Sequence, residues 1–125
     1  MTTREQTLQE AASHLGYREK HTRQHPKGNV TKFWAALKPE YQGSPWCAAF
    51  VNYCLHQGGS DARLTGPPQP YYTPSMEAWA KKTGRWIESR HGKPGDVRIF
   101  TEQSTIHTGF LEKQRGANAV QTLEG

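Results

Sequence analysis

"SPWCAAFVNYC", residues 44–54, holds both cysteines of the chain, seven positions apart. Ser44 is a good N-cap and Pro45 suits a first helical position, which predicts a helix running to about Leu55 with Cys47 third in it. Cys47, Phe50, Val51 and Cys54 then fall at i, i+3, i+4 and i+7, a single buried stripe. Two turns separate the thiols by about 10.5 Å along the axis, whereas a disulfide needs Cα atoms within about 7 Å. Seven-residue spacing is not a zinc pattern either. The thiols are not partners. Cys54 lies mid-helix among Phe50, Val51 and Leu55, where a thiol is a small inert hydrophobe. Cys47 lies in the first turn, where unpaired N–H groups and the helix dipole favour a thiolate. It is either a nucleophile or the residue that begins the core stripe.

Upstream, Thr2 or Thr3 can cap a first helix, with Glu5 or Gln6 placed for a capping box. Leu8, Ala11, Ala12 and Leu15 form its apolar stripe and Gly16 ends it. After a polar, loop-like stretch, a short helix around Thr31 to Leu37 carries Phe33, Trp34 and Leu37 before Pro39 stops it. Downstream of Gly58-Gly59 comes the proline-rich loop TGPPQPYYTP, and Thr73-Pro74 starts a further helix with Met76, Trp79 and Ala80 on one face. Beyond Gly84 the pattern changes to RWIES, DVRIF, IHTGFLE and AVQTLE, which read as short strands separated by the turns KPG and KQRGAN. Asp96 after Gly95 caps the turn into a strand. Helices first and strands last predict an α+β domain with a C-terminal antiparallel sheet.

The 125 residues suffice for one compact domain, 1–125, and not for two. Hydrophobic residues are only 34%, and four Trp, five Tyr and four Phe make up the buried area. No run approaches the roughly 18 apolar residues of a membrane helix, and the start, MTTREQTLQEAASHLG, lacks an apolar signal core. The chain stops directly after a strand pattern, as the N-terminal part of a longer protein would. The net charge of +5 suits an anionic partner. Its densest basic stretch, Lys81 to Arg98, holds six basic residues but has Glu88 and Asp96 among them. It lacks the aromatic interleaving of a nucleic-acid platform, so it reads as a solvated surface.

Six histidines remain to be placed. His14, His21 and His25 fall in the first helix or the loop after it, and Pro26 and Gly28 argue against a helix that would align His21 with His25 as metal ligands. His56 and His91 read as surface residues. His107 opens a strand. If IHTGFLE pairs with AVQTLE across KQRGAN, Glu112 faces Ala119 and His107 faces Glu124. Directly opposed residues have Cβ atoms about 4.5–5.5 Å apart, and a carboxylate there holds an imidazole in the tautomer a general base needs. The alternative is an ordinary cross-strand pair. A thiol at a helix start with a carboxylate-oriented histidine on a sheet is the papain-type constellation.

SPWCAAFVNYCL, KPGDVRIF, IHTGF and TLEG, in that order, resemble the CHAP domain, the cysteine- and histidine-dependent amidohydrolase/peptidase module of phage endolysins and bacterial wall hydrolases. The likeness spans residues 5–125. It implies a papain-like fold, N-terminal helices packed on the sheet, with Cys47 as nucleophile, His107 as base and Glu124 orienting the histidine. The family pattern often continues Glu-Gly-Asn, and that Asn would follow Gly125. Some members bind calcium through clustered aspartates. Here Asp61 and Asp96 are far apart, so no metal and no cofactor is expected.

The implied partner is bacterial peptidoglycan, cut at an amide bond by a monomer without membrane insertion or nucleic-acid contact. A further C-terminal wall-binding domain is compatible with this. The implied location is that of a phage lysis protein made in the host cytoplasm without a signal peptide. Gln42 or Tyr41 is the candidate second oxyanion donor beside the Cys47 N–H. Trp46, Tyr71 and Tyr72 are candidate groove walls, core packing being the first reading for Trp46. A reading from another class is a non-catalytic wall- or polyanion-binding module, whose Cys47 would have no reason to be reactive.

Overall fold

The computed structural model describes residues 3–59, 71–87, 91–100, 107–114 and 120–124. In chain order it contains α1 (Thr3–Ala12), α2 (Lys32–Leu37), a 3-10 turn (Pro39–Tyr41), α3 (Cys47–Gln57), α4 (Thr73–Lys82), β1 (Val97–Phe100), β2 (His107–Gln114) and β3 (Val120–Glu124). The strands form one antiparallel sheet in the order β1-β2-β3. The protein is α+β, with helices packed on the sheet.

The centre of the molecule is α3, whose Ala48, Ala49, Phe50, Val51, Asn52 and Cys54 are all buried. Two small alanines let its neighbours approach closely. Phe50 meets Phe33 of α2 edge-on at 5.4 Å and Phe110 of β2 at 6.0 Å. It thereby joins the helical layer to the sheet. Full burial of such a side chain contributes about 1.5–3 kcal/mol. At six residues α2 is too short to persist alone. It is fixed by the Thr31 hydroxyl accepting the Trp34 N–H at 3.1 Å, and by complete burial of Phe33 and Trp34. On the other flank Gly58 lies against the backbone of Thr7, where a Cβ would stand 2.7 Å from the Thr7 Cα. α1 and α3 are therefore in backbone contact at that point.

α1 ends earlier than its periodicity suggests. After Ala12 the chain tightens into turns in which His14 N–H bonds Ala11 C=O and Leu15 N–H bonds Ala12 C=O, both at 3.2 Å. That rotation turns Leu15 outward, 72% exposed, and carries His14 inward instead, edge-on to Phe33, Phe50 and Tyr53. Burial lowers the pKa of His14, Lys32 adds to the lowering, and Glu10 opposes it. The expected cap at Thr2 and the proline-rich loop up to Pro70 lie outside the described residues.

RWIES does not begin a strand. α4 closes with Gly84 at φ +75°, Gly84 N–H bonding Lys81 C=O and Arg85 N–H bonding Ala80 C=O at 2.8 Å. This is a Schellman wrap, which spends on the helix the N–H groups that a ladder would need. Residues 85–87 have no regular structure, and Glu88 and Ser89 lie outside the described residues. The turn before β1 is as expected: Asp96 Oδ2 accepts the Lys93 N–H at 2.8 Å, with Gly95 at φ +92°. Arg4 adds to it, pairing with Asp96 and donating to Pro94 C=O at 3.2 Å, which ties the start of α1 to the sheet.

Candidate active site

α3 starts later than Ser44-Pro45 implies. Its first bond runs from Phe50 N–H to Trp46 C=O at 2.9 Å, with Trp46 as the cap residue and Cys47 in the first helical position rather than the third. The preceding segment is held elsewhere: Trp34 Nε1–H donates to Ser44 C=O at 3.0 Å, and Ser44 N–H to Tyr41 C=O at 3.0 Å. The shift brings Cys47 closer to the helix end, where N–H groups lack intrahelical acceptors. Cys47 is half-buried, and its Sγ lies 3.8 Å from the Thr73 hydroxyl at the start of α4. Cys54 is fully buried, and burial, with Glu10 adding, pushes its thiol up to about 12. Both thiols are free, in unlike surroundings on one helix.

α3 and β2 meet where Phe50 packs on Phe110. The far end of α3, at Gly58, touches Thr7, and Arg4, one turn before Thr7, reaches Pro94 and Asp96. Gly95 and Asp96 bond Leu111 in the middle of β2. Cys47 opens α3, and His107 opens the strand on which that helix packs. His107 is half-buried and pairs with Phe100 of β1.

Glu124 does not face His107. The ladder pairs Glu124 with Gly109, Leu123 with Phe110 and Thr122 with Leu111. β2 continues to Gln114, so less chain is left for the turn, and a bulge between Leu111 and Lys113 makes Glu112 the extra residue. Glu112 therefore has no Ala119 opposite it, and Ala119 itself lies outside the described residues, as does Gly125. Gly109 and His107 are two apart on β2, so Glu124 occupies the His107 face, one pair along.

The upstream candidates are engaged in packing. The Gln42 carboxamide bridges the backbone of Thr31, Oε1 accepting its N–H at 2.9 Å and Nε2 donating to its C=O at 2.8 Å. One Nε2 hydrogen is left beyond that bond. Tyr41, Trp34 and Tyr71 form an edge-on trio with centroids 5.4, 5.5 and 6.2 Å apart. Tyr41 and Tyr72 are exposed, and Tyr71 is half-buried. Trp46 stacks on Phe33 at 5.6 Å and donates from Nε1 to Glu19 Oε1 at 3.3 Å. That makes it a packing residue first. Glu19 also accepts the Asn29 N–H, the main cause of its lowered pKa.

A family model for the CHAP domain matches residues 39–125. The chain belongs to the CHAP domain family. Members are amidase/peptidase hydrolase modules, and the family points to peptidoglycan hydrolysis as the type of function. No curated protein and no solved structure matches the chain. The match is shorter than the likeness drawn from residue 5 onward. It leaves α1 and α2 outside, although Phe33, Trp34 and Ala11 belong to the same core as α3.

Within the CHAP domain, Thr73 was invisible to sequence reasoning. Its Thr-Pro pair signals a helix start, and nothing local says that the hydroxyl meets a thiol 26 residues upstream. Among the described residues no group of three His, Cys, Asp or Glu converges to hold a metal ion. No described helix is long and apolar enough to cross a membrane.

Proposed function

We propose that this CHAP domain hydrolyses an amide bond of bacterial peptidoglycan by a thiol mechanism on a papain-like scaffold, in the manner of a phage endolysin. Cys47 is the nucleophile, His107 the acid and base, and Glu124 the residue that orients His107. What supports this is that Cys47 opens the helix that packs on β2, the strand that His107 begins.

In the first step the Cys47 thiolate attacks the carbonyl carbon and the π electrons move to oxygen. That oxyanion is held by the Cys47 N–H and by one side-chain donor, the remaining Gln42 Nε2–H or the Tyr41 hydroxyl. The C–N bond then breaks as the His107 imidazolium gives its proton to the departing amine, leaving a thioester. His107, now neutral, takes a proton from water as the water oxygen attacks the thioester. The C–S bond breaks, releasing the acid and restoring the thiolate–imidazolium pair. Glu124 acts along a diagonal: such neighbours on one face lie about 7–8 Å apart, within reach of long side chains. The bare Gly109 between them leaves that path open. Tyr41, Tyr71 and Tyr72 form the wall of the groove.

The test is digestion of purified walls followed by mass spectrometry of the released fragments. A new amino terminus within the stem or bridge, with peptide still attached to the glycan, identifies an endopeptidase, and glycan strands stripped of stem peptide identify an amidase. Release of neither from any wall type would contradict the proposal.

A further inference from the structure

Cys47 Sγ lies 3.8 Å from the hydroxyl of Thr73, within hydrogen-bond reach for sulfur. Thr73 is only 5% exposed. Its hydroxyl makes no other bond among the described residues, so it is a buried polar group committed to the sulfur. Its position is well determined. Tyr72 C=O accepts the N–H of Ser75 at 3.0 Å and of Met76 at 3.2 Å, Pro74 follows at once, and Tyr71 is packed against Trp34 and Tyr41. A β-branched side chain at such a place has little freedom at χ1.

We infer that Thr73 is a positioning residue for the nucleophile, donating its hydroxyl hydrogen to the Cys47 thiolate. The inference rests on the reading of Cys47 as nucleophile. A neutral thiol can donate to the hydroxyl oxygen or accept from it. A thiolate can only accept, so ionisation commits the Thr73 O–H to the sulfur. The bond then favours the charged form and fixes the direction in which the sulfur lone pair points. The charged and titratable groups on elements packed around α3 include Arg4, Glu5, Glu10 and His14 from α1 and the turn after it, Lys32 of α2, His107, Glu112 and Lys113 of β2 and Glu124 of β3, with Tyr53 and His56 on α3 itself. Glu10 and Lys32 act on Cys54. Replacing Thr73 leaves all of them in place.

The test is the pH profile of iodoacetamide alkylation at Cys47, followed by peptide mapping so that Cys54 is read separately, in the folded full chain. Thr73→Val keeps shape and branching and removes the hydroxyl. Its midpoint should rise by about half a unit to one unit, the size of a charge-assisted hydrogen bond weakened by a long S···O distance. Thr73→Ser keeps the hydroxyl and should restore the parent midpoint. On purified walls, Thr73→Val should lower kcat with KM little changed. An unmoved midpoint in Thr73→Val, or an equal shift in Thr73→Ser, would overturn the role of Thr73. If Thr73→Val does not fold, Thr73→Ala is read in its place, with the same rise expected and an unmoved midpoint again overturning the role. Wall hydrolysis surviving in Cys47→Ala would instead overturn the nucleophile assignment, whatever Thr73 does.

Discussion

Glu124 stands opposite Gly109 in the β2–β3 ladder, on the face of β2 that carries His107 and one pair away from it. A carboxylate at a diagonal position acts on an imidazole through a longer reach than a directly opposed one, and a glycine between them puts no side chain in the way. Glu124→Gln keeps the shape and removes the charge that stabilises imidazolium. Turnover should fall about tenfold or more, with KM little changed, because a hydrogen bond to a charged group contributes roughly 1.5–3 kcal/mol. Steady-state kinetics across pH check this. Activity within about twofold of the parent at every pH would mean that Glu124 does not serve His107.

Cys54 carries a pH dependence of its own. Its ordinary value of 9.0 is raised to about 12 by burial, so folding favours the neutral thiol. The contribution is fully present below the unfolded value and is lost as pH rises from about 9 toward 12. Cys54→Ala should therefore flatten the alkaline loss of stability over that window. It should cost on the order of 1 kcal/mol at neutral pH and keep wall hydrolysis. Urea midpoints of parent and variant at several pH values test this. Identical slopes above pH 9 would refute the burial argument.

Which parts of this were legible in the sequence depends on how far each determinant lies along the chain. Helical spacing sets Cys47 and Cys54 two turns apart, and of the stripe read there Phe50, Val51 and Cys54 are buried while Cys47 is half-buried. The helix start is displaced because the indole of Trp34 holds the Ser44 carbonyl, a contact with another helix. The hairpin register was missed for a similar reason: a bulge at Glu112 leaves no mark on an alternating pattern. Arg85–Ile87 looked like a strand because β-branched and aromatic residues cluster there, yet the Schellman wrap after Gly84 takes the backbone first. Gln42 and Thr73 could not be judged from sequence, since their partners, Thr31 and Cys47, are supplied by tertiary packing.

The N-terminal helices belong to the folding unit although the family match begins at Pro39. Phe33 is fully buried between Trp46, Phe50, Tyr53, Tyr17 and His14. Phe33→Ala should destabilise by about 3–5 kcal/mol, visible as a lower urea or thermal midpoint. A loss below about 1 kcal/mol would mean that α2 is an appendage rather than part of the core.

The central claim is that one thiol does chemistry and the other packs. Cys47→Ala, Cys54→Ala and the parent should be compared on purified walls by mass spectrometry of released fragments, with circular dichroism confirming that each is folded. The account predicts that Cys47→Ala retains the fold and releases nothing, while Cys54→Ala yields the parent's fragments. Parent-like release from a folded Cys47→Ala would contradict it.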